Sequence, residues 1–451
     1  MATLQFAGEY EILESKLTTS TGVTINISKL IAEINLFEDL FSNALYGSIF
    51  IVDTNNIISR GPIIGQERVH LKIAIPTVTS SEAAIDVIFN VYKVGTNTEV
   101  NKGGQLIELS MVTPEFLKNN RVRVSKSYSN SIDNIVQDIL QLDETLIGTT
   151  KNVQIDATTG IRRMIVPNLH PYDIINNLAT EAISTSGQPL YVFYETLKGL
   201  NFRSLETLYD EEIVAEYNAS DFEVLKVGEV GKGQSKTGNL EKDYKRALDY
   251  SMNSYNDMLA NVKSGMLGST IIRYDPYYKT YQKKEFGYFS NFEENARTDA
   301  NPIYNSNGLR DYPNARIHLQ PGFSKNVDTS HYNTSTSSYG FSGSRIYESL
   351  QNRQSKFAEL NMGASAVINV HGNFALNVGK SVIFNMPAVG DEDTDPRFTG
   401  KYLITTLRHS FRNSNKTSQT TLTLVKDSSA APFINVASAD SGVPTTASDA
   451  F

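Results

Sequence analysis

The sequence predicts an α+β multidomain protein that is mainly β, with two similar antiparallel β-barrel domains, one small α+β domain and one inserted peripheral domain. Three observations predict this class. Segments rich in β-branched and aromatic residues recur in two parts of the chain, apolar residues take helical spacing in a third part, and one glycine, strand and hairpin pattern occurs twice. A length of 451 residues suggests about three domains as a starting expectation.

Residues 1–118 are predicted to form the first barrel domain. Their β-rich segments are VTINIS, GSIFIVD, VHLKIAIP, DVIFNVYKV and QLIELSMV. Turn residues separate these segments, as in an antiparallel arrangement with short connections. A compact antiparallel barrel or sandwich is therefore expected.

Residues 119–212 are predicted to form the small α+β domain, because the apolar period changes there. The segment SIDNIVQDILQL has an apolar stripe at helical spacing, made of Ile132, Ile135, Val136, Ile139 and Leu140. A second helix is predicted in HPYDIINNLATEAIS, with Pro171 in its first turn and a stripe made of Ile174, Ile175, Leu178 and Ile183. The segment YVFYETLKGLNFRSLETL predicts a hairpin that turns at Lys198-Gly199.

The second barrel domain is predicted to consist of residues 213–265 and 355–428, with the peripheral domain inserted between them at 266–354. Thirteen of the 23 tyrosines lie between Tyr244 and Tyr347. Such a cluster is typical of a docking or sugar-binding surface, and equally of a β-rich domain with half-buried tyrosines. The segment RIYESLQNRQSKFAEL predicts a helix that leads into the last strands.

The last residues, 429–451, are predicted to form a flexible or partner-docked C-terminal tail. They are small and polar and include no basic residue. Their one apolar group, Pro432-Phe433-Ile434, is interpreted as a short docking motif.

One pattern occurs in both predicted barrels. GQERVHLKIAIP begins at Gly65, and GKSVIFNMP begins at Gly379. In each copy a connector follows, and then a long hairpin with a polar loop, GTNTEVNKGG in one and RNSNKTSQ in the other. The hairpins start 21 and 22 residues after their glycines and end 47 and 46 residues after them. The two halves are therefore interpreted as copies of one barrel motif.

The sequence Gly379-Lys380-Ser381 has the ending of a nucleotide-binding P-loop. That motif needs a glycine, four residues and then Gly-Lys-Ser/Thr at the start of a helix. The nearest earlier glycine, Gly372, leaves six residues in between, and the apolar run Val382–Phe384 before Pro387 indicates a strand. Gly379 is therefore interpreted as a turn into a barrel strand.

Composition narrows the classes of function. The N-terminal segment lacks a signal-peptide pattern and no apolar run approaches a membrane span, so neither secretion nor membrane insertion is expected. The absence of cysteine excludes disulfides and thiolate chemistry and fits a reducing cytoplasm. A net charge of −8 without a long basic run argues against an electrostatic grip on nucleic acid.

The residues that could carry catalysis do not form a known active-site pattern. The six histidines are far apart in sequence, none of them at metal-ligand helical spacing, and there is no Gly-x-Ser-x-Gly elbow. Glu211/Glu212 and Asp391/Asp393 are interpreted as solvated loop charges, and His409 as a hydrogen-bonded structural histidine. No enzyme activity, metal or cofactor is expected.

Several stretches recur together in the order of one protein family. They are LYGSIFIVDTNNIISRGPIIGQERVHLKI, PNLHPYDIINNLATEAI, YVFYETLKGLNFRSLETL, SGMLGSTIIRYDPYYKTY, GNFALNVGKSVIFNMP, GKYLITTLRHSF and TTLTLVKDS. Across most of residues 30–428 the chain thus resembles the baseplate hub proteins of contractile-tailed bacteriophages, of the T-even type. The structural signature positions that this resemblance marks are Gly65, Glu67, Pro167, Pro171, Tyr194, Glu195, Gly372, Gly379, Gly400 and His409.

The resemblance implies a ring-shaped homotrimer in which each chain contributes two β-barrel tube domains to the wall. Six near-equivalent units would meet sixfold tail tube proteins on one face and a trimeric central spike on the other. It also implies contacts with the tape measure protein and peripheral baseplate proteins, and genomic DNA that passes through the lumen without specific binding. The expected location is the virion tail baseplate, after synthesis and assembly in the host bacterial cytoplasm.

Two alternatives stay open from the sequence. The β content and the tyrosine cluster are compatible with a carbohydrate-binding or depolymerising tail protein. The base of a bacterial contractile-injection spike would share the hub architecture, but such spikes continue into a long β-helical needle, and no repeated pattern of that kind follows Val425.

Overall fold

The computed structural model describes most of the chain, with gaps in several loops, in the tyrosine-rich insert and in the C-terminal tail. The described residues are 7–53, 63–75, 84–95, 98–101, 104–218, 244–254, 257–275, 279–304, 315–321, 338–339, 344–386, 394–395 and 397–432. The predicted docking motif beyond Pro432 and the acidic pair Asp391/Asp393 lie outside them.

Strands predominate over helices, as the sequence predicts. The strands are β1 Glu11–Thr18, β2 Thr24–Asn26, β3 Ile31–Asp39, β4 Tyr46–Asp53, β5 Arg68–Ala74, β6 Ala84–Val94, β7 Thr98–Asn101, β8 Gly104–Val112, β9 Ser127–Ser131, β10 Val153–Ile155, β11 Ile161–Ile165, β12 Tyr191–Thr196, β13 Gly199–Ser204, β14 Ile213–Asn218, β15 Asp249–Ser254, β16 Gly268–Asp275, β17 Thr280–Gly287, β18 Asn301–Pro302, β19 Ile317–Pro321, β20 Ser338–Tyr339, β21 Ala364–His371, β22 Ser381–Asn385, β23 Gly400–Arg412, β24 Thr417–Lys426 and β25 Ser428–Ser429. The helices are α1 Pro114–Asn119, α2 Ile132–Gln137, α3 Pro171–Glu181, α4 Leu205–Asp210, α5 Met258–Ser264, α6 Tyr288–Asn291 and α7 Ser344–Met362.

One continuous sheet runs through both predicted barrel regions. Its strand order is β15-β21-β24-β23-β3-β4-β8-β6-β5-β1-β2, with β22 beside β23, β14 beside β22 and β7 beside β8. Strand β23 joins the two halves, because one of its edges pairs with a strand from each half. Residues 400–403 of that edge pair with β22, and residues 406–412 pair with β3.

The two halves of the sheet repeat the same order of pairing. The run β3-β4-β8-β6-β5 in the first half corresponds to β15-β21-β24-β23-β22 in the second, and every neighbour in both runs is antiparallel. A bulge occurs at the same point of each hairpin, at Tyr92 between β6 and β8 and at Thr405 between β23 and β24. The closure of each run into a barrel stays a prediction.

Each half has its own apolar core. The core of the first half is largely aliphatic and includes Leu36, Ile49 and Leu109. The core of the second half includes Ile368, Leu407 and Leu422, and it extends to residues of β12 and α4. Alternation of buried and exposed residues along the strands explains this arrangement, since every second side chain faces the core.

The α+β region has a third core formed by the two predicted helical stripes. The five apolar residues of the first stripe are buried, and the helix continues from α2 into a π-helical turn, Asp138–Leu142. The assignment of Ile183 to the second helical stripe is wrong. Helix α3 ends at Glu181, and Ile183 lies beyond it and is half-buried. The hairpin β12–β13 forms, but its two-residue turn is Leu197-Lys198, and the segment LETL begins α4 instead of extending the hairpin.

The predicted insert contributes a small sheet of its own, in the order β17-β16-β19. A fourth apolar cluster around Met266 and Tyr288 lies beside it. The predicted helix is confirmed as α7, which packs against α5, α3 and β16. The division into five domains at the predicted boundaries stays a prediction. Within the described residues, no helix has the length and apolar character that crossing a membrane would require.

Candidate functional site: the domain junction

The α+β region meets both halves of the sheet at a junction of buried polar groups. Glu195 on β12 is fully buried, and its carboxylate accepts hydrogen bonds from Thr113 Oγ1 at 2.7 Å and from the backbone N–H of Leu45 at 3.1 Å. Lys151 Nζ lies 2.8 Å from the other oxygen of Glu195. Burial raises the pKa of Glu195, and the charge of Lys151 opposes that rise. Glu195 therefore ties β12 to the first half of the sheet.

A second buried carboxylate, Glu38 on β3, joins three parts of the chain. Its oxygens accept hydrogen bonds from the N–H of Leu197 at 2.8 Å, in the β12–β13 turn, and from the N–H of Val378 at 3.0 Å, before β22. The side-chain amide of Asn377 donates a third bond at 3.3 Å. Burial raises the pKa of Glu38 to about 7. One side chain thus fixes the first half, the α+β region and the second half relative to one another.

Two signature positions, Tyr194 and Gly379, meet at the same junction. Gly379 has a left-handed φ of +83°, which glycine adopts without strain. A Cβ atom at Gly379 would lie 2.5 Å from the hydroxyl oxygen of Tyr194, so no other residue fits there unless the tyrosine moves. The next residues form strand β22 and not a helix. The prediction that Gly379 supplies a turn into a strand is confirmed.

The rim of the junction carries a network of ion pairs around Glu211. Its carboxylate contacts both Arg203 and Lys380, and Arg203 Nε also lies 3.4 Å from Asp156. Burial opposes ionisation of Glu211, but the two cations outweigh it and hold the pKa of Glu211 below its usual value. The interpretation of Glu211 as a solvated loop charge is wrong, because this carboxylate is partly buried and paired. It links β13 to the turn before β22.

The remaining signature positions lie elsewhere in the sheet and the α+β region. Glu67 is buried and accepts hydrogen bonds from the N–H groups of residues 64, 65 and 66, which stabilises the left-handed turn at Gly65 before β5. Pro171 is the first residue of α3, whereas Pro167 is exposed. Of the ten positions, Tyr194, Glu195 and Gly379 are brought together, and the other seven lie apart from them.

Three signature positions belong to the second half of the sheet. Gly372 follows β21, where a Cβ atom would lie 2.1 Å from Ser418 Oγ. Gly400 begins β23. His409 is buried, and its Nδ1 lies 2.9 Å from Thr420 Oγ1, which confirms a hydrogen-bonded histidine within a strand. Burial lowers the pKa of His409 to about 3, so its ring stays neutral at physiological pH.

A further buried cluster anchors the insert to the end of β24. Lys356 on α7 lies 2.9 Å from Glu359 and 2.8 Å from Asp427, and all three side chains are almost fully buried. Thr298, in the insert, donates its N–H to Asp427 at 2.9 Å, and the hydroxyl of Tyr288 donates to Glu359 at 2.8 Å. Burial raises the pKa of Glu359 to about 7. For Asp427, Lys356 outweighs burial and lowers the pKa.

Sequence reasoning missed Glu38 and the cluster of Lys356, Glu359 and Asp427. For Glu38, the available signal was an acidic residue that continues the alternation of Ile34 and Leu36, so that it faces the core side of β3. The clustered residues had no comparable signal, because their partners come from distant segments.

The charged side chains that line the junction are paired with one another. A cleft of about 210 Å³ at the junction is lined largely by polar side chains, including Arg203, Lys380 and Glu211, which pair with one another. Within the part of the chain that the structure describes, no group of three or more His, Asp or Glu side chains has the arrangement of a metal site. The contacts at this site connect the α+β region to both halves of the sheet.

Comparisons with known proteins give a likeness of fold. No protein-family model matches the sequence, and no curated protein is similar to it. A tail protein from Neisseria meningitidis MC58 matches with a TM-score of 0.51 and 10% identity, over 93% of this chain and 97% of that one. The 43 kDa tail protein of prophage MuSo2 from Shewanella oneidensis matches with a TM-score of 0.51 and 9% identity, over 92% and 98%.

A third structure is a component of the type VI secretion system of E. coli. It matches with a lower TM-score of 0.44 and 11% identity, over 94% of this chain and 78% of that one. The matches to the two tail proteins cover almost the whole length of those proteins. The resemblance read from the sequence is thus confirmed for the fold, and the chain shares the fold of these two tail proteins.

Proposed function

We propose that this chain is the structural baseplate hub of a contractile phage tail. Three copies form a ring in which each chain contributes the two halves of its sheet, giving six near-equivalent wall units. Such a ring presents a sixfold face to the tail tube and a threefold face to the central spike. The repeated five-strand order within one continuous sheet carries this proposal, and the tail-protein fold supports it.

The junction has a mechanical role in this hub. Glu38 and Glu195 fix the α+β region against both halves of the sheet, so that this region braces the wall from outside. The buried cluster at Lys356 fixes the insert in the same way. The insert is then a surface for neighbouring subunits or peripheral baseplate proteins. Genomic DNA passes through the lumen, and the acidic balance of the chain disfavours its retention.

The first test is the mass of the protein in solution. We expect light scattering after size exclusion to give three times the chain mass of 50.0 kDa. Negative-stain class averages of that species should show a ring with a central hole and a pseudo-sixfold wall. A monomer that stays monomeric when co-expressed with the spike gene of the same phage would contradict the proposal. A non-enzymatic role is part of the proposal, and turnover of a glycan would contradict it.

A further inference from the structure

We propose that Lys356 and Asp427 condense into an amide bond within the chain, with Glu359 as the group that moves the protons. The reaction forms a bond between Lys356 Nζ and Asp427 Cγ and releases one water molecule. It cross-links α7 to the residue that follows β24. The inference goes beyond the proposed ring and does not depend on it.

The end of α7 brings the three side chains together. Lys356 and Glu359 lie one turn apart on this helix and therefore share a face. Gly363 follows the helix, and a Cβ atom there would lie 2.6 Å from the carbonyl oxygens of Glu359 and Lys426. Glycine thus lets the helix end lie directly against the end of β24. This close approach places Asp427 beside Lys356 Nζ, at 2.8 Å.

Lys356 is positioned as the nucleophile and Glu359 as its base. Glu359 Oε2 lies 2.9 Å from Lys356 Nζ, and the hydroxyl of Tyr288 donates to the other oxygen of Glu359 at 2.8 Å. Burial opposes the charge of Lys356, but the two carboxylates hold its pKa above the usual value, so the amine needs a base before it can attack. Burial raises the pKa of Glu359 to about 7, which makes it a stronger base than an exposed carboxylate.

The two carboxylate oxygens of Asp427 have different partners. Oδ2 lies against Lys356 Nζ. Oδ1 accepts hydrogen bonds from the N–H and the hydroxyl of Thr298, at 2.9 and 2.8 Å, and from Ser428 Oγ at 2.9 Å. Donors grouped on one oxygen stabilise the negative charge that develops there when a nucleophile attacks the carbon. Oδ1 therefore becomes the amide oxygen, and Oδ2 becomes the leaving oxygen.

The reaction balances within these three residues. Lys356 begins as an ammonium with three protons on Nζ, and Asp427 begins as a carboxylate. Glu359 accepts a proton from Nζ, the amine attacks Cγ, and Glu359 passes protons from the nitrogen to Oδ2. Two of the three protons leave with Oδ2 as water, and the third stays on the amide nitrogen. Glu359 returns to its starting state, and no oxidant or cofactor is required.

Burial favours the amide over the ion pair. The side chain of Lys356 is 3% exposed, and those of Glu359 and Asp427 are 0% exposed. Hydration stabilises an ammonium and a carboxylate in water, and burial removes most of that stabilisation. Condensation replaces the two charges by a neutral amide. Burial also keeps bulk water from the amide, which slows its hydrolysis.

The amide closes residues 356–427 into a covalent loop. Helix α7 packs against α5 and β16 of the insert, and Asp427 follows β24 of the second half. Noncovalent contacts between these two parts can then open without separating them. Closing a loop also lowers the entropy of the unfolded chain, as a disulfide does, and so stabilises the folded chain.

Another lysine between two carboxylates supplies a contrast. Lys151 Nζ lies 2.7 Å from Glu115 and 2.8 Å from Glu195. The side chain of Lys151 is 27% exposed and that of Glu115 is 13% exposed, so water stabilises both charges. Lys151 should therefore remain an unmodified lysine, and it is the internal control.

The experiment is the intact mass of the full chain under denaturing conditions, followed by tryptic peptide mapping. We expect a mass lower than that calculated from the sequence by one water molecule. Trypsin should fail to cut after Lys356, and the peptide 354–380 should be joined to the peptide 427–451. Cleavage after Lys151 should be normal. Lys356→Arg, which keeps the positive charge, and Glu359→Gln, which keeps the shape, should both show the full calculated mass.

The mass of the native chain decides the proposal whether or not the variants fold. An unshifted mass, both after purification and after prolonged incubation at neutral pH, would overturn the amide and leave the proposed hub intact. Loss of water with a normal cut after Lys356 would place the condensation elsewhere and would also overturn it. Loss of water from Glu359→Gln as complete as in the native chain would overturn the role of Glu359.

Discussion

The two halves of the sheet share a strand order but differ in what is attached to them. The core of the first half is an aliphatic cluster, and its nearby ion pair, Lys72 with Asp86, is exposed at the surface. The second half carries the insert, and the connection passes through buried charges at Lys356, Glu359 and Asp427. Strand order thus follows the repeated apolar pattern, whereas attachment of an extra region depends on specific polar contacts.

The largest expected effect tests the role of buried charge in the second half. Lys356→Met leaves the carboxylates of Glu359 and Asp427 buried without their cation, and we expect a loss of about 3–5 kcal/mol of stability. The matched change in the first half, Lys72→Met, removes an exposed pair and should cost within about 1 kcal/mol. Urea unfolding midpoints measure both. Equal losses would show that the two halves do not differ in this respect.

The next prediction tests whether the two cores are equivalent. Leu109 and Leu422 occupy matching positions of β8 and β24, and both are fully buried. Leu109→Ala and Leu422→Ala should each cost about 2–5 kcal/mol, because each leaves a cavity in a packed core. Urea unfolding gives the two values, and we expect them to be similar. A several-fold difference would mean that the shared strand order does not imply shared packing.

A smaller effect compares the two left-handed turns. Gly65→Ala meets only the carbonyl of Tyr92 at 3.5 Å, so backbone strain of about 1–2 kcal/mol is expected. Gly379→Ala adds a collision with the Tyr194 hydroxyl and should cost more. The double variant Gly379→Ala/Tyr194→Phe should recover part of that excess. Thermal unfolding measures all three, and equal costs at the two glycines would contradict the close approach at the junction.

A further prediction is a pH dependence that separates the junction from the surface. Burial raises the pKa of Glu38 from 4.5 to about 7. The stability that its protonated form contributes is complete below about pH 4.5 and is lost as the pH rises to about 7. Relative to Glu38→Gln, the native protein should therefore lose melting temperature across that range.

Asp143→Asn is the control for this pH dependence. The hydrogen bond from the hydroxyl of Thr145 lowers the pKa of Asp143 from its ordinary value of 3.8. The stability that ionised Asp143 contributes is lost only as the pH falls below that value. Its difference from the native protein should be flat between about pH 4.5 and 7. A flat profile for Glu38→Gln as well would show that Glu38 is ionised throughout.

The sequence predicted those parts of the fold that depend on local pattern. The helical stripe at Ile132, the strand after Gly379 and the long hairpins follow from spacing and turn residues within short segments. The end of α3 was placed too late because Ile183 continues the apolar spacing beyond the last helical residue. Local spacing therefore indicates an element more reliably than it indicates where that element ends.

The candidate site was predictable only in part. Glu195 and Tyr194 were marked through the family resemblance, but the partners of Glu195, Leu45 and Thr113, lie 150 and 82 residues away in sequence. The joint between β3 and β23 was not predicted, because edge pairing between distant strands leaves no local signal. The pair Lys356 and Asp427 was not predictable for the same reason. A buried charge is stable only beside a partner, and here the fold brings that partner from a distant segment.

The ladder between β3 and β23 also affects how assembly depends on protein concentration. Since both strands belong to one chain, their effective concentration is set by the chain itself and not by the number of molecules in solution. In the proposed ring, every chain would arrive with one of its two kinds of joint already made. Dilution would act only on the joints between chains, so a ring that falls apart would release intact pairs of wall units rather than single ones.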